Sequence, residues 1–375
     1  MTISSVEIYV YDLTYVHGQY VMSRGRVVDR LQSTVARVIT KEGVDGFGEV
    51  CPLGPAYLPA HARGARAALE ELAPALIGVE VSNHSRAQEV LDRALNGHSY
   101  AKSALDVARW DAFGKSVELP ACELLGGRIS ESFPLYFAVP LGPAEDMAAY
   151  VSARRSEGIH RFQLKLGADP VDDIRRTAEV MSALDKSDIV VADANGGWRL
   201  ADAVVVARAL DRYPNLFLEQ PCPTLEECLI VRERTTLPMI LDESIQDVAS
   251  LLRAYSAKAL EGFNLKISKV GGLTYAKAMR DLGQTLGLSM TIEDSWGGDL
   301  VTAAVAHLAA STSVESLFTV SFMNDWTNEH VAGYEPRSEA GRGSAPAGHG
   351  LGVDVDLSAL GKPVVQISSR EQPSG

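Results

Sequence analysis

The pattern of apolar and polar positions divides the chain into two parts. At the amino end, SSVEIYVYDL and STVARVITKEGVDGFGEV alternate with period two, the mark of half-buried antiparallel strands, and Asp45-Gly46 is the expected hairpin turn. HARGARAALEELAPALIG and SYAKSALDVARWDAFGKS then space apolar residues three and four apart. This predicts helices that stop at Gly78 and Gly114. The first part therefore reads as an α+β domain over residues 1–130.

From about residue 132 the texture changes to short apolar runs separated by helical stretches such as ADAVVVARALD and TYAKAMRDLGQTLG. The runs are SFPLYFAV (132–139), RFQLKL (161–166), IVVADAN (189–195), LFLEQP (216–221), PMILDES (238–244), GFNLKIS (262–268), LSMTIED (288–294) and LFTVSF (317–322). Eight runs at this spacing favour a closed α/β barrel of the TIM type over an open doubly wound sheet. After Phe322 no clear eighth helix is written. GYEPRSEAGRGSAPAGHGLGVDVD is rich in Gly, Ser and Pro, and LGKPVVQISS is one more strand-like run. The barrel is expected over 131–350, with a segment 351–375 returning to the first domain.

Composition narrows the function classes. A chain of 375 residues, 46% hydrophobic and 22% charged, is globular and long enough for a large core. Lys and Arg number 35 against 48 Asp and Glu, a net charge of −13, which repels nucleic acid and anionic membranes. The amino terminus has no basic segment followed by an apolar one, so export and membrane insertion are not expected. Cys51, Cys122, Cys222 and Cys228 form no CxxC pair and have no His at zinc-finger spacing. A cytoplasmic protein is expected.

The chemistry lies at the carboxyl ends of the predicted strands, where barrel enzymes place their sites. Strand two ends in Gln163-Leu164-Lys165, strand three in Asp193-Ala194-Asn195 and strand four in Glu219-Gln220-Pro221. Strand five ends in Asp242-Glu243, strand six in Lys266, and strand seven in Glu293-Asp294. Asp193, Glu219 and Asp242 would converge from neighbouring strands, and three carboxylates in a dry cleft repel unless a cation joins them. Oxygen-only ligation suits Mg²⁺ better than zinc. Lys165 and Lys266 flank the trio in strand order and would face each other across the barrel mouth, a geometry for proton transfer at two faces of one carbon. A single acidic residue at a strand end is commonly a cap or ion-pair partner, but the charged ends of the five consecutive strands two to six are not explained that way. Glu226, Glu227 and Glu243 are read as caps or solvated residues, and Lys269 as structural, outside the mouth.

The ordered set KLG, DAN, EQP, LDES and NLKISKVGG, with AKSALDVARWDAFGKSVELPACELLGG before it, resembles the enolase superfamily, in its muconate-lactonizing-enzyme subgroup, over nearly the whole chain. The resemblance implies a capping α+β domain over a (β/α)7β barrel, an obligatory Mg²⁺ and α-proton abstraction from a small carboxylate substrate. It assigns metal ligation to Asp193, Glu219 and Asp242, and acid–base roles to Lys165 and Lys266. Barrels of this type commonly form homo-oligomers.

Gln163 stands where many members of the subgroup carry lysine, which removes a positive charge and better tolerates a substrate cationic at nitrogen. CPLGPAYLPAH, GHSYAKSALD, EQPCPTLEE and EDSWGGD look like the 4-hydroxyproline betaine 2-epimerases, which share this Gln-x-Lys form. In that group an aromatic residue, here Tyr57, packs on the quaternary ammonium. Trp296, Phe322 and Trp326 are candidates for a second aromatic, and Asn195 and Asp294 complete the expected substrate contacts. The leading expectation is an isomerase that racemises or epimerises a proline betaine. A 3-hydroxyproline dehydratase would use the same half-reaction. An N-acylamino acid racemase or dipeptide epimerase would bind the amine near Asn324-Asp325, and a dianionic muconate fits Gln163 poorly. A barrel that only binds a small molecule would predict substitutions among the three carboxylates and two lysines, and all five are intact.

Overall fold

The computed structural model describes residues 1–368. Strands Ile3–Thr14, Arg30–Thr40, Asp45–Val50 and Val365–Ser368 form an antiparallel cap sheet in the order last, first, second, third. The tail thus returns to the cap, pairing Val365 with Ile8 and Ser368 with Ser5. The remainder of the expected return segment, 369–375, lies outside the described residues. Helices Ala62–Leu76, His84–Ala94 and Ser99–Ser116 bury Leu69, Leu72, Leu76 and Leu105 against Val6, Ile8, Ala36 and Val38 of the sheet.

Two turn expectations fail, and close packing explains both. The hairpin turns at residues 41–44, with Gly43 at φ +84°, so Asp45 and Gly46 are strand residues. A Cβ at Gly46 would lie 2.2 Å from the Ala108 carbonyl oxygen, so the glycine lets helix Ser99–Ser116 lie on the sheet. Gly114 does not end that helix, where a Cβ would meet Gly350 Cα at 2.6 Å. The helix is buried on nearly all sides because its other flank meets the barrel, through Asp106 and Arg109 bonded to Thr274.

Residues Phe137–Val139, Arg161–Lys165, Ile189–Asp193, Leu216–Glu219, Met239–Leu241, Gly262–Lys266, Ser289–Glu293 and Leu317–Val320 form eight parallel strands in chain order, one to eight. A bridge between Leu135 and Val320, and a 3.0 Å bond from the Tyr136 N–H to the Val320 carbonyl, bring the first and last edges together. Only the end of the first predicted run joins the barrel, because Phe133–Pro134 pairs with Arg342–Gly343. A helix follows each of the first seven strands, and strand eight leads into a short 3₁₀ turn, Met323–Trp326, giving the (β/α)7β arrangement. Parallel register sets Lys165 beside Asp193, Asp193 beside Glu219, and Lys266 beside Glu293. No helix among the described residues is long and apolar enough to cross a membrane.

Candidate active site

Side chains two apart on a strand share a face, so Gln163 and Lys165 point into the barrel together, as do Asn264 and Lys266. Lys165 Nζ lies 2.5 Å from Asp193 Oδ2, and Lys266 Nζ lies 2.5 Å from Asp242 Oδ2. Glu219 sits between them, accepting from Gln163 Nε2 at 3.0 Å and from Asn264 Nδ2 at 2.8 Å. Strands two and six are four apart in a closed sheet of eight, which places the lysines on opposite sides of the mouth. All of these side chains are buried.

Two readings are corrected here. Lys269 is part of the mouth: its Nζ donates to Asp242 Oδ1 at 2.8 Å and to the Asp242 carbonyl at 2.7 Å. The short helix Ile267–Val270 turns it back over strand five. Glu243 is neither cap nor solvated, but accepts from Asn195 Nδ2 at 3.2 Å beside the carboxylates. Glu227 does complete a capping box with Thr224, and the exposed Glu226 pairs with Arg253.

Sequence reasoning missed Asn264, Tyr136 and Tyr20, and named Glu293 only as a charged strand end without a role. Asn264 was findable from its place two residues before Lys266, the same spacing as Gln163 to Lys165. Glu293 accepts from Asn264 at 3.0 Å and from the Tyr136 hydroxyl, and lies 3.3 Å from Lys266 Nζ. Tyr20 comes from a cap element whose pairing with this mouth no local pattern announces, and Tyr136 lies inside the first predicted barrel run and not at its carboxyl end.

The crowding of charge shows in the titration behaviour. Burial and the Asp193 charge push Glu219 well above the usual carboxylate range. Glu243 is pushed up to about 7 by burial and by Asp242 and Asp193. Burial would raise Asp242 too, but Lys266 and Lys269 outweigh it and hold its carboxyl below the ordinary value. Burial opposes charge on both lysines, yet Asp193 raises Lys165 and Asp242 raises Lys266 above the ordinary lysine value. While these pairs stand, neither lysine is a base.

A cavity of about 40 Å³ opens beside Lys165 and Gln163. Tyr20, Tyr57, Tyr136, Trp296 and Trp326 form its aromatic wall, with Asp294, Ser321 and Met323. Trp296 and Trp326 meet edge to face at 6.0 Å between ring centres. Tyr57 donates to Asp242 Oδ2 at 2.8 Å and accepts from Lys266, whose ammonium lies 5.0 Å from the ring centre. Tyr57, Leu53 and Ser295 also border a larger 640 Å³ cavity between cap and barrel loops. Phe322 is not brought to the site. It packs on Phe133 at 6.0 Å between ring centres, outside the cavity that its neighbours Ser321 and Met323 line.

The residues present fit a hard divalent cation. Asn195 Oδ1 and Glu243 Oε2 are buried acceptors without a hydrogen-bond partner, next to Asp193 and Asp242, and the donor set is all oxygen. No three such groups among the described residues close on one point, because Asp193 and Asp242 are turned onto lysines.

Comparison with known proteins identifies the family. Residues 5–126 match the N-terminal domain model of the mandelate racemase / muconate lactonizing enzyme family, and residues 146–359 match the enolase C-terminal domain-like model. The chain belongs to the enolase superfamily. This enolase-superfamily chain is 44% identical to a cis-3-hydroxy-L-proline dehydratase of Roseibium aggregatum, over 98% of its own length and 100% of the relative's. It is 26% identical to an N-succinyl-L-Arg/Lys racemase of Bacillus cereus, over 88% of this chain and 91% of that one. A solved mandelate racemase/muconate lactonizing enzyme from Roseovarius nubinhibens ISM, complexed with magnesium, superposes with a TM-score of 0.94 at 33% identity, covering 98% of this chain and 100% of that one.

Proposed function

We propose that this protein is a Mg²⁺-dependent enzyme that dehydrates a cyclic amino acid of the cis-3-hydroxyproline type. The observation that carries the reading is the opposition of Lys165 and Lys266 across one mouth, and the full-length 44% identity to a dehydratase supports it. In cis-3-hydroxyproline the hydroxyl and the carboxylate share a ring face, so the α-proton lies on the other. Removing both calls for a base on one face and an acid on the opposite one. One lysine takes the α-proton, and the electron pair of that C–H bond forms the ring double bond. The other lysine protonates the departing hydroxyl, which leaves as water, and the enamine tautomerises to a cyclic imine.

Asp193, Glu219 and Asp242 would hold the metal, with Glu243 and Asn195 beside them. When bound, Mg²⁺ supplies electrostatic stabilisation for the second negative charge that develops on the substrate carboxylate as the α-proton leaves. Asp193 and Asp242, once committed as ligands, no longer serve as counter-ions to the lysines, and burial can then lower the lysine pKa values towards a working base. Gln163 and Asn264 keep Glu219 oriented from both sides. Tyr57 covers Lys266 and keeps water from it.

A second reading is α-epimerisation of a proline betaine or hydroxyproline betaine, the reaction that the sequence motifs favour. The aromatic wall is its specific support, since a quaternary ammonium is held by aromatic faces. It shares the first proton transfer, after which the opposite lysine returns a proton to the other face of the same carbon and no group leaves. Recognition of an amine through strand eight has less support: Asp325 is bonded to Tyr334 and lines a different cavity.

The test is a comparison of isomers. With Mg²⁺, the protein should convert cis-3-hydroxy-L-proline to the cyclic imine, and the trans isomer, whose hydroxyl and α-proton share a face, about 100-fold more slowly. Equal rates on the two isomers, or racemisation of proline betaine without any dehydration, would overturn the proposal.

A further inference from the structure

We infer that Asp294 is the subsite for the ring nitrogen of the substrate and that it selects a secondary ammonium over a quaternary one. The inference rests on the reading of this cavity as the place where a cyclic amino acid reacts. Asp294 directly follows strand seven and is the only acidic side chain lining the catalytic cavity among the described residues. It is 4% exposed. Its hydrogen-bond partners are neutral donors: the Ser268 N–H at 2.9 Å on Oδ2, the Ser295 N–H at 2.6 Å on Oδ1, and the Ser268 hydroxyl on Oδ1.

Glu219 and Glu243 also lack an ammonium partner among the described residues, but they do not line this cavity; the contrast is with the other acids of the mouth. Asp193 and Asp242 each have an ammonium at 2.5 Å, and Glu293 has one at 3.3 Å. Among the described residues Asp294 forms no ion pair, and burial pushes its carboxyl up to about 6. Each carboxylate oxygen offers two acceptor sites, so Oδ2, with one bond, retains capacity for another donor. A cyclic amino acid brings a suitable one, a ring ammonium with two N–H groups. Lys165 in the same cavity repels that ammonium, while Tyr20 and Trp296 offer it aromatic faces. A quaternary nitrogen has no N–H to give. It would bury the Asp294 acceptor without a bond, which is costly for a charged group.

Asp294 also ties the loops after strands six and seven together, and a purely structural role would cost stability without altering ligand choice. Calorimetry on the Mg²⁺-loaded protein separates the two, with L-proline, tetrahydrofuran-2-carboxylate (an ether oxygen in place of the ammonium) and L-proline betaine as probes. The wild type should bind L-proline about 10-fold more tightly than either of the others, the worth of one charged hydrogen bond. Asp294→Asn should bring the three within about 2-fold. If the wild type shows no preference for L-proline, or if a folded Asp294→Asn protein keeps it, the assignment is overturned while the proposed dehydration stands on its own isomer test. The wild-type comparison decides the matter even where the variant does not fold. If none of the three probes binds and cis-3-hydroxy-L-proline is not dehydrated, both readings fall.

Discussion

Strands two and six carry the same three-residue device, Gln163-Leu164-Lys165 and Asn264-Leu265-Lys266, and the structure treats the two copies alike at first. In each, amide and ammonium share the inward face, the amide donates to Glu219, and the lysine pairs with a neighbouring aspartate at 2.5 Å. The surroundings then diverge. Lys165 has Asp193 and, beside it, Tyr20. Lys266 has Asp242, the Tyr57 hydroxyl and Glu293, and its aspartate is gripped a second time by Lys269. A pair of opposed lysines can thus be built from one repeated pattern, while the hold on each is set by residues that the pattern does not contain.

Loss of either lysine should break the symmetry most severely. Lys165→Ala and Lys266→Ala should each slow imine formation by at least about 1,000-fold; a variant that keeps near-normal turnover would remove that lysine from the reaction. Glu219→Gln strikes the residue both copies share, facing an amide donor with its own N–H₂ group, and should weaken Mg²⁺ binding measured by calorimetry by more than about 100-fold. Lys269→Met acts on one side only. It frees Asp242 from one of its two lysines, and the Mg²⁺ affinity should change by about 10-fold. Tyr57→Phe removes the hydroxyl between Lys266 and Asp242 and should slow the Lys266-side proton transfer by about 10-fold, with the Lys165 side little affected, as isotope exchange on each face would show. Phe322→Leu, outside the cavity, should leave kcat/KM within about 2-fold and lower stability by about 1 kcal/mol in denaturant titration.

Much of this was legible in the sequence because the barrel converts strand order into position. Asp193, Glu219 and Asp242 end successive strands, and Lys165 and Lys266 end strands four apart, so a count of apolar runs was enough to oppose them. Period two within a strand could have excluded Phe322, since Ser321 and Met323 occupy the cavity side, and could have found Asn264. Glu243 and Lys269 were hidden for a different reason. Both sit just past a strand end, where caps and solvated charges are common, and only the tight helix Ile267–Val270 brings Lys269 back to Asp242. Gly46 and Gly114 looked like turn and stop signals by local propensity. Helix Ser99–Ser116 overrode that reading, because the cap sheet and the tail approach it too closely for any side chain.

The central claim is that Lys165 and Lys266 are opposed across one substrate ring, each able to exchange a proton from its own face, and exchange of the α-proton of L- and D-proline in D₂O with Mg²⁺ tests it most directly. The wild type should label both enantiomers. Lys165→Ala should still label one of them and Lys266→Ala only the other. Loss of labelling on the same enantiomer in both variants, or labelling of both enantiomers by either variant, would contradict the account.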